Sequence, residues 1–547
     1  MNYRIVLLIL ILFSVSLNAQ HIENRKDYKL SKFLTEVFSN KKVYYNTYPE
    51  RNGFTPVTPF VSKYPVSNFI TDIFNSGDTV WFATGSGIMR TRDRFKNFEY
   101  YFGVLPFGND DVSGFIVYNN VIVAATAIVT DIGGESVPTG TGIKVSTDYG
   151  KSWNSNPQPM DGINDTSIVY GSNVLYALPV IVPQQNLSYD IAVTRCKCDT
   201  SLKIIWITSF AGGLRKSTDY GQTWHRVLLP PDVLDSIYTG GTGYTFGLNP
   251  RDNLNHRAFS VEAVNDSVLF VGTANGINVS TDWGVSWRKW NFQNSGSGVN
   301  RVSGNFVVNF HIQEYGTKQI IWAATRKAED LNEVSAISYT TNGGLNWSYT
   351  LSNIYPNNIS SKDSIVYAQT NDGLWRSYFT TPFSWSKPPL IYDETTKDKL
   401  TTNSFYTGSN VGDTLYFGSA DGLLRTIETG SPWTGKWKIF RAITPIDLSS
   451  DIKTYAAPNP FSPDDEMTRI FYKTGKNLAK ITIKIFDFGM NPVRTLIQNA
   501  TRITPDEIYT SWDGKNNDGY QVANGVYFYR IEIDNDKPEW GKILVLQ

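Results

Sequence analysis

This chain of 547 residues contains few cysteines and histidines, and neither sign of charge is in excess. Two cysteines and four histidines leave little material for a zinc site or a disulfide scaffold. Lys and Arg number 50, as do Asp and Glu, so the formal net charge is zero. A neutral chain is not built to bind nucleic acid or an anionic membrane through bulk charge. The remaining composition, with 14% aromatic residues and 43 glycines, is that of a globular, turn-rich protein.

Long apolar runs are also missing beyond the N-terminus. Arg4 is followed by an apolar stretch from Ile5 to Leu17 and by Ala19, a small residue suited to cleavage. This pattern predicts a secretory signal peptide over residues 1–19, with an uncut anchor helix as the alternative. No other segment reaches the roughly 18 apolar residues of a membrane span. We therefore expect an extracellular or cell-surface protein, secreted through the periplasm, with no transmembrane span after cleavage.

The two cysteines, Cys196 and Cys198, stand two residues apart. A metal site would need further ligands that no nearby residue supplies, and redox motifs use C-x-x-C. We expect a thiol pair at the edge of a loop, with closure into a tight disulfide outside the cytoplasm left open.

An eight-residue pattern recurs four times along the chain. The first three copies read S-x-D-x-G-x-S/T-W, and the fourth departs from this at Thr340, Asn342 and Asn346. The residues that carry the pattern are Ser146, Asp148, Gly150 and Trp153; Ser217, Asp219, Gly221 and Trp224; Ser280, Asp282, Gly284 and Trp287; and Asn342, Gly344 and Trp347. The set resembles the Asp-box (BNR) repeats of propellers such as sialidases, sortilin and photosystem II assembly factors.

The surroundings of the boxes extend the repeat. A small residue followed by Ile or Leu precedes each copy, and an apolar run of four residues precedes that pair. The same frame occurs in three degraded copies, after Gly87, Gly373 and Gly422. Seven repeats at spacings of roughly 40–70 residues predict an all-β, seven-bladed propeller over residues 67–445. We expect the stretch before Asp78 to supply a strand that closes the ring.

Each box residue has a structural explanation. The Asp carboxylate can accept hydrogen bonds from the N–H groups of its own turn, the Gly can adopt positive φ, and the Trp ring can pack on the blade. Equivalent turns lie around a ring, so their carboxylates should not meet at one point. We therefore interpret the boxes as structural and assign no catalytic residue.

Between the signal peptide and the propeller lies an extension, residues 20–66. Its apolar residues keep helical spacing, which predicts one short amphipathic helix packed on the propeller, or alternatively a helix that binds a partner. Those residues are Leu30, Phe33, Leu34, Val37 and Phe38.

The pattern changes after a linker, residues 446–457. A proline-rich entry and short alternating strands over residues 458–547 predict an antiparallel sandwich with Trp512 in its core. Three motifs closely resemble those of the FlgD-type immunoglobulin-like domain: N-P-F over Asn459–Phe461, I-x-I-F-D-x-G-x-x-x-V-R-x-L over Ile483–Leu496, and the segment that opens with W-D-G over Trp512–Ile531. Such domains are similar to the sorting domains read by type IX secretion in Bacteroidetes. The resemblance implies export or surface attachment, with a purely structural module as the alternative.

One loop of this domain is a candidate for calcium binding. Asp513 and Asp518 cluster with amide side chains, which suits a hard cation, but the loop lacks the final Glu of an EF-hand. The W-D-G turn is also ordinary in the family that it resembles, so no cofactor is assigned.

Motifs for catalysis are missing. The sequence has no G-x-S-x-G and no H-E-x-x-H, and its histidines, His21, His225, His256 and His311, are scattered. Sialidases have six blades and an Arg-Ile-Pro motif, whereas this sequence predicts seven blades and contains no Arg-Ile-Pro. Asp110 and Asp111 read as a solvated turn, with a catalytic pair as the alternative. The glycine-rich segment 240–247 opens no helix, so we interpret it as a surface loop rather than a ligand loop.

The sequence thus predicts a monomeric, secreted or cell-surface scaffold that binds a protein or a glycan and not nucleic acid. The alternative is a glycan-active hydrolase at the propeller centre. Xyloglucanases of the Asp-box type resemble the chain in blade number but form their cleft with a second propeller. We expect ligand contacts in the long loops 154–203 and 225–265.

Overall fold

A computed structural model describes residues 53–380, 382–396, 398–400, 402–442, 453–464, 467–503 and 507–546. The predicted signal peptide and the predicted helix of the extension lie outside these residues. The chain divides into two compact units, the first comprising residues up to Pro388 with Thr402–Thr434, the second comprising Pro389–Thr401 with Gly435–Gln547. Strands dominate both units, and the one helical element in the described ranges is a 3-10 turn, Leu254–His256. The all-β prediction is confirmed.

The first unit contains seven antiparallel sheets, each formed by consecutive segments of chain. The first two sheets also include the N-terminal strands β1 (Thr55–Pro56) and β2 (Phe60–Ser62). The first sheet continues with β3 (Ile70–Ser76), β4 (Thr79–Thr84), β5 (Ile88–Thr91) and β6 (Phe98–Tyr100), and the second with β7 (Asp111–Tyr118), β8 (Val121–Ile132), β9 (Glu135–Ser146) and β10 (Ser152–Asn156).

A separate hairpin, β11 (Ser167–Tyr170) and β12 (Asn173–Tyr176), precedes the third sheet. The third sheet comprises β13 (Ser188–Arg195), β14 (Lys203–Ser209), β15 (Gly213–Ser217) and β16 (His225–Val227). The fourth comprises β17 (Ser236–Ile237), β18 (Ala258–Ala263), β19 (Leu269–Thr273), β20 (Gly276–Ser280) and β21 (Trp287–Trp290).

The last three sheets follow the same order. The fifth comprises β22 (Phe306–Tyr315), β23 (Lys318–Arg326), β24 (Ala336–Thr340) and β25 (Ser348–Thr350). The sixth comprises β26 (Pro356–Lys362), β27 (Ile365–Thr370) and β28 (Gly373–Tyr378), and the seventh includes β31 (Phe405–Val411), β32 (Thr414–Ser419) and β33 (Gly422–Ile427).

Within each sheet the successive strands are named A, B and C, and D where a fourth is present, from the innermost outward. The A strands are β3, β7, β13, β18, β22, β26 and β31. Each A strand contacts the next, and β31 contacts β3, so the seven form a closed circuit. This is the arrangement of a β-propeller, in which every sheet is a blade.

The prediction that the segment before Asp78 closes the ring by joining another sheet is wrong. The segment before Asp78 forms β3, the A strand of the first sheet, whose partner β4 is its immediate successor in sequence. The N-terminal residues instead extend outer edges, since β1 pairs with β10 and β2 pairs with β6. The reason is that the first sheet already has four strands of its own, so its remaining free edge is the outer one.

The two ends of the strands define two faces. Because antiparallel strands alternate in direction, the A–B and C–D turns lie at one face, named the box face after the Asp boxes in its C–D turns. The B–C turns and the connections from one sheet to the next lie at the opposite face, named the connection face.

A β-bulge recurs in every A strand. The register shifts by one residue after the first or second paired residue, as between Ile70 and Asp72 in β3. The B-strand residue at this point always has a hydroxyl: Thr84, Thr126, Ser209, Thr273, Thr325, Thr370 and Ser419. In six sheets that hydroxyl donates to the carbonyl of the Gly or Ala that precedes the Ile or Leu of strand C, at 2.7–3.3 Å. The hydroxyl thereby fixes the B–C turn at the connection face.

Neighbouring sheets pack through aromatic B-strand side chains. Trp81, Trp206 and Trp322 are fully buried. The box glycine of the following sheet sits against such a ring, since a Cβ added to Gly284 would lie 2.6 Å from the Trp206 ring. The glycine is therefore required both by its φ of +73° and by this close approach.

The second unit contains β29 (Tyr392–Asp393), β30 (Asp398–Lys399) and β34 (Lys438–Phe440), followed by two antiparallel sheets. One sheet is formed by β35 (Thr454–Ala457), β36 (Thr468–Lys473) and β39 (Glu507–Trp512). The other is formed by β37 (Ala479–Phe486), β38 (Pro492–Arg502), β40 (Gly525–Ile533) and β41 (Glu539–Val545). Trp512 is fully buried between Phe461 and Tyr527, with ring centroids 5.6 and 5.4 Å away. It lies in the core, as the sequence predicts.

We expect Gly284→Ala to lower the free energy of unfolding by roughly 2–4 kcal/mol, because the added methyl group meets the Trp206 ring and positive φ strains an L residue. Urea unfolding followed by near-ultraviolet circular dichroism measures the loss. Gly298→Ala is the matched control, since Gly298 also has positive φ (+58°) but no heavy atom lies within 4 Å of its added Cβ. Equal losses for the two variants would contradict the packing explanation.

Candidate functional site

The three consensus Asp boxes make one hydrogen-bond pattern. In the first, Asp148 Oδ1 accepts from Ser146 Oγ (2.9 Å) and from the N–H of Ser152 (2.9 Å). The N–H of Gly150 donates to Ser146 Oγ at 2.8 Å. Asp219 and Asp282 have equivalent partners in their own turns. The residues that follow these aspartates, Tyr149, Tyr220 and Trp283, share the positive φ of the box glycines.

Two of the irregular boxes keep the acceptor of this pattern. In the fourth copy, the amide oxygen of Asn342 replaces the carboxylate and accepts from Thr340 Oγ1 and the N–H of Asn346. In the degraded copy after Gly87, Asp93 accepts from the N–H groups of Lys96 and Asn97. The turn therefore needs an acceptor oxygen at this position rather than a negative charge.

The box carboxylates are engaged within their turns. Burial raises the pKa of Asp148, Asp219 and Asp282, but hydrogen bonds from the turn outweigh it and leave each pKa below its ordinary value. Trp153, Trp287 and Trp347 are buried, and Trp224 is half-buried. Because each box lies in a separate sheet, these residues are distributed around the circuit.

We expect Asp282→Asn to lower the free energy of unfolding by about 1 kcal/mol at pH 7, because it removes a charge-assisted acceptor that remains partly solvated. A lowered folded-state pKa stabilises the fold above pH 3.8, and this contribution is lost as the pH falls. The difference between wild type and variant in thermal midpoint should therefore shrink on acidification. Asp78→Asn, in an exposed A–B turn of the same face, is the control. A difference that grows below pH 3.8 would contradict the assignment.

The connection face contains a cavity of about 440 Å³ between the fourth and fifth sheets. Its walls come from the B–C turn of the fourth sheet, the connection between these sheets and the B–C connection of the fifth sheet. Asp232, Asp235 and Leu254, from the connection into the fourth sheet, complete it. The predicted loop 225–265 thus contributes three lining residues, whereas loop 154–203 contributes none that the structure describes.

Carboxylate and amide side chains dominate the lining. The carboxylates are those of Asp232, Asp235, Glu329, Asp330 and Glu333, and the amides those of Asn275, Asn291, Gln293, Asn294 and Asn305. The described lining residues include no Lys, Arg or His. The cavity is therefore an acceptor-rich, negatively charged site.

A chain of side-chain hydrogen bonds holds the wall. Gln293 links both sheets, since its Oε1 accepts from Asn305 Nδ2 (3.0 Å) and its Nε2 donates to Asp330 Oδ2 (3.3 Å). Asn294 Nδ2 donates to Asp235 Oδ1 at 2.8 Å. These contacts orient the amides before any ligand arrives.

Glu333 is the most buried acid of the cavity, with 3% of its surface exposed. Its Oε2 accepts from the N–H groups of Ala328 (2.6 Å) and Asn305 (3.1 Å). Its Oε1 is buried and has no hydrogen-bond partner of normal geometry in the described structure. Burial raises the pKa of Glu333, and the charge of Asp330 acts in the same direction, in spite of the hydrogen bonds from backbone N–H groups. One carboxylate oxygen is thus left for a donor.

Asp232 is committed to structure instead. Its two oxygens accept from the N–H groups of Leu254 and Asn255, both at 2.8 Å, and so cap the 3-10 turn. Lys289 Nζ lies behind it and donates to the carbonyls of Pro231 and Asp232. Burial lowers the pKa of Lys289 while Asp232 and Asp235 oppose that effect.

A second acidic feature lies on the A strands of the third and fourth sheets. Asp190 Oδ2 accepts from the N–H of Val261 at 3.1 Å, which places this carboxylate beside Glu262. Burial, followed by the charge of Asp190, raises the pKa of Glu262 to about 8. His311, on the next A strand, approaches Ser361 Oγ at 2.7 Å, and burial lowers its pKa to about 4.

Two further histidines, His256 and His225, lie within the described residues. His256 is buried, and its Nδ1 accepts from the N–H of Asn249, so Nε2 donates to the Leu229 carbonyl at 3.1 Å. Both ring nitrogens are therefore occupied. His225 is exposed on β16, and His21 lies outside the described residues.

The prediction of a solvated turn at Asp110 and Asp111 is wrong. Asp111 begins β7 and is fully buried, and burial raises the pKa of Asp110. Asp111 is already the first residue of the A strand of the second sheet, so the segment is strand at this point rather than a turn in solvent. Lys144, whose pKa burial lowers, supplies the nearby positive charge.

Two further sequence candidates have ordinary surroundings. Cys196 and Cys198 form a disulfide in the A–B turn of the third sheet. In the second unit, Asp513 Oδ1 accepts from Arg494 Nη1 and from the N–H of Lys515. Among the described residues, no three His, Cys, Asp or Glu side chains are grouped so that they could hold a metal ion.

The glycine-rich segment 240–247 takes no part in the cavity. It packs on the hairpin β11–β12, where the Gly241 carbonyl accepts from Asn173 Nδ2 and the N–H of Tyr244 donates to Asn173 Oδ1.

The sequence matches no protein-family model and no curated protein. Solved structures with a similar course of chain include PorZ, an essential bacterial surface component of the type-IX secretion system of Porphyromonas gingivalis, at 14% identity and a TM-score of 0.36 over 88% of this chain and 66% of that one. The GH74 xyloglucanase of Xanthomonas campestris is similar at 13% identity and a TM-score of 0.43, over 76% and 59% of the respective chains. An ancestral GH74 enzyme is similar at 12% identity and a TM-score of 0.46, over 89% and 63%.

These neighbours thus include both a surface component and glycoside hydrolases. This chain spans 59 to 66% of their lengths. Likenesses at such identities and TM-scores say nothing of the ligand or activity of this chain. No helix in the described ranges is long and apolar enough to span a membrane.

Sequence inspection missed the cavity acids, because Glu329, Asp330 and Glu333 stand among polar residues that look like any solvated connection. The B-strand hydroxyls that fix the B–C turns could have been recognised in the sequence from their spacing. A Ser or Thr three residues before the Gly of strand C occurs in four repeats, at Thr84, Thr273, Thr370 and Ser419.

Proposed function

We propose that this chain is a secreted or cell-surface propeller that binds a protein or glycan ligand at its connection face. The observation that carries the proposal is the cavity between the fourth and fifth sheets, whose polar lining is fixed by hydrogen bonds across both sheets. Small-ligand sites are concave and carry a few convergent polar groups, which is the character of this cavity.

The contrast between the faces supports the choice of site. On the box face the carboxylates and hydroxyls of the repeated turns are already engaged in hydrogen bonds within those turns. On the connection face the segments between sheets differ in length and sequence, and loops held by a rigid scaffold commonly carry binding residues. We therefore place recognition opposite the Asp boxes.

A glycan and surface-protein array probed with the full chain should yield a ligand whose binding is weakened at least about tenfold by the double variant Gln293→Ala, Asn294→Ala. Both side chains orient cavity carboxylates, so their loss disorders the wall. The matched control is Gln222→Ala, which is exposed on the box face. Binding that responds only to the control variant would contradict the placement.

The second unit is proposed to serve export or surface attachment. The support is the resemblance of its motifs to FlgD-type domains, together with a compact sandwich core around Trp512 that this unit forms. A plain spacer module is the competing explanation.

Deleting residues 453–547 should retain the chain inside the producing cell if this unit is a sorting signal. Fractionation and immunoblotting of cells, surface and medium measure the outcome, with the full chain as the control. Normal export of the truncated chain would remove the sorting role.

A glycan-active hydrolase is the second candidate, and one observation favours it. Glu262, whose pKa is raised to about 8, lies beside Asp190 on adjoining A strands. Glycosidases pair a carboxylic acid of raised pKa with an ionised carboxylate. Release of reducing sugar from an array glycan at enzyme-like rates, abolished by Glu262→Gln, would support this candidate over a binding scaffold.

A further inference from the structure

The cavity on the connection face carries negative charge that its own surroundings leave incompletely balanced. Five carboxylates line it, and the described lining residues include no cationic side chain. Lys289, the basic residue behind Asp232, points its Nζ at two backbone carbonyls. Lys327, at the start of the fifth-sheet connection, donates to the Leu331 carbonyl.

Glu333 places one of these carboxylates at the buried side of the cavity with an oxygen that can still accept a hydrogen bond. Its side chain lines the cavity, is 3% exposed, and keeps Oε1 without a hydrogen-bond partner in the described structure. A buried carboxylate oxygen without a donor is unfavourable, since burial removes water that would otherwise donate to it. A ligand that brings an N–H or O–H donor to Oε1 would relieve this penalty.

The ligand that meets both conditions is a cation with hydrogen-bond donors. An anion would be repelled by the five carboxylates, and an apolar group would leave Oε1 unsatisfied. A bare metal ion requires converging ligands, and no such group of three exists among the described residues. An ammonium or guanidinium supplies charge and donors together.

We propose that this cavity binds a protonated amine or guanidinium group, with Glu333 as its buried counter-charge. The proposal rests on the binding function given above and names the ligand class of that site. The volume of about 440 Å³ exceeds what one such head group fills, so the amide side chains of the wall, Gln293, Asn294 and Asn305 among them, are left to contact the remainder of the ligand. The cationic group belongs either to a free small molecule or to a basic side chain of a partner.

Isothermal titration of the full chain compares two probes of one shape, L-arginine amide and its neutral analogue L-citrulline amide. We expect arginine amide to bind at least about tenfold more tightly, because only it provides a charge-assisted hydrogen bond to Glu333. Raising the salt concentration should weaken arginine amide binding. The peptide Gly-Arg-Gly is titrated in parallel, and tighter binding than that of arginine amide would indicate a side chain of a partner as the source.

Glu333→Gln keeps the shape of the side chain and removes its charge, so it should weaken arginine amide binding at least about tenfold. Glu314→Gln, exposed near the end of β22 in the same fifth sheet, is the matched control and should leave binding unchanged. Asp330→Asn, at a more exposed acid of the cavity, provides a second variant with a smaller loss expected if Glu333→Gln fails to fold.

Several outcomes would overturn the proposal. They are equal affinity for the two amides, no binding of arginine amide up to about 10 mM, and binding that is insensitive both to Glu333→Gln and to Asp330→Asn. If the array ligand is neutral and still requires Gln293 and Asn294, the ligand class is wrong while the binding function stands. If no ligand responds to the cavity variants at all, the binding function itself is wrong.

Discussion

Each sheet of the first unit can bury its faces only against the two sheets beside it, and the fold depends on that mutual coverage. The B strands of the first, fourth and sixth sheets, Thr79–Thr84, Leu269–Thr273 and Ile365–Thr370, are buried along their whole length. An open row of sheets would leave two such faces in water, so the circuit of A strands has to close. The contact between β31 and β3 achieves this without a strand exchanged between the ends of the chain.

The two faces of the unit follow from this packing in different ways. On the box face the turn must bring a glycine against the aromatic ring of the preceding sheet, as Gly284 approaches Trp206. That demand fixes the local sequence, and the carboxylate of Asp282 is used to hold the turn. On the connection face the hydroxyl of Thr273 secures a short B–C turn, but the longer B–C connections and the segments between sheets are under no such demand. Those segments can therefore carry acidic residues such as Glu333, whose burial is costly and which packing alone does not require.

Prediction from the sequence succeeded where a residue acts within its own turn and failed where distant segments meet. The repeated Ser, Asp, Gly and Trp made the all-β class readable, because each box is closed by contacts over a few residues. The prediction of a solvated turn at Asp111 failed, because the burial of this residue depends on where the A strand of the second sheet begins. The cavity could not be predicted from the sequence for a related reason. Gln293 and Asp330 lie 37 residues apart, and only the packing of the fourth sheet against the fifth brings them to hydrogen-bonding distance.

The sequence by itself determined the repeat, the turns that carry it and the buried strand that precedes each one. These are local properties, since hydroxyl, carboxylate and glycine positions decide how a short hairpin closes. Tertiary structure alone decided which polar residues of the connections face one another, that Oε1 of Glu333 is left without a donor, and that Glu262 lies beside Asp190. The physical reason is that burial and the pairing of charge depend on neighbours supplied by other sheets, and no short stretch of sequence records them.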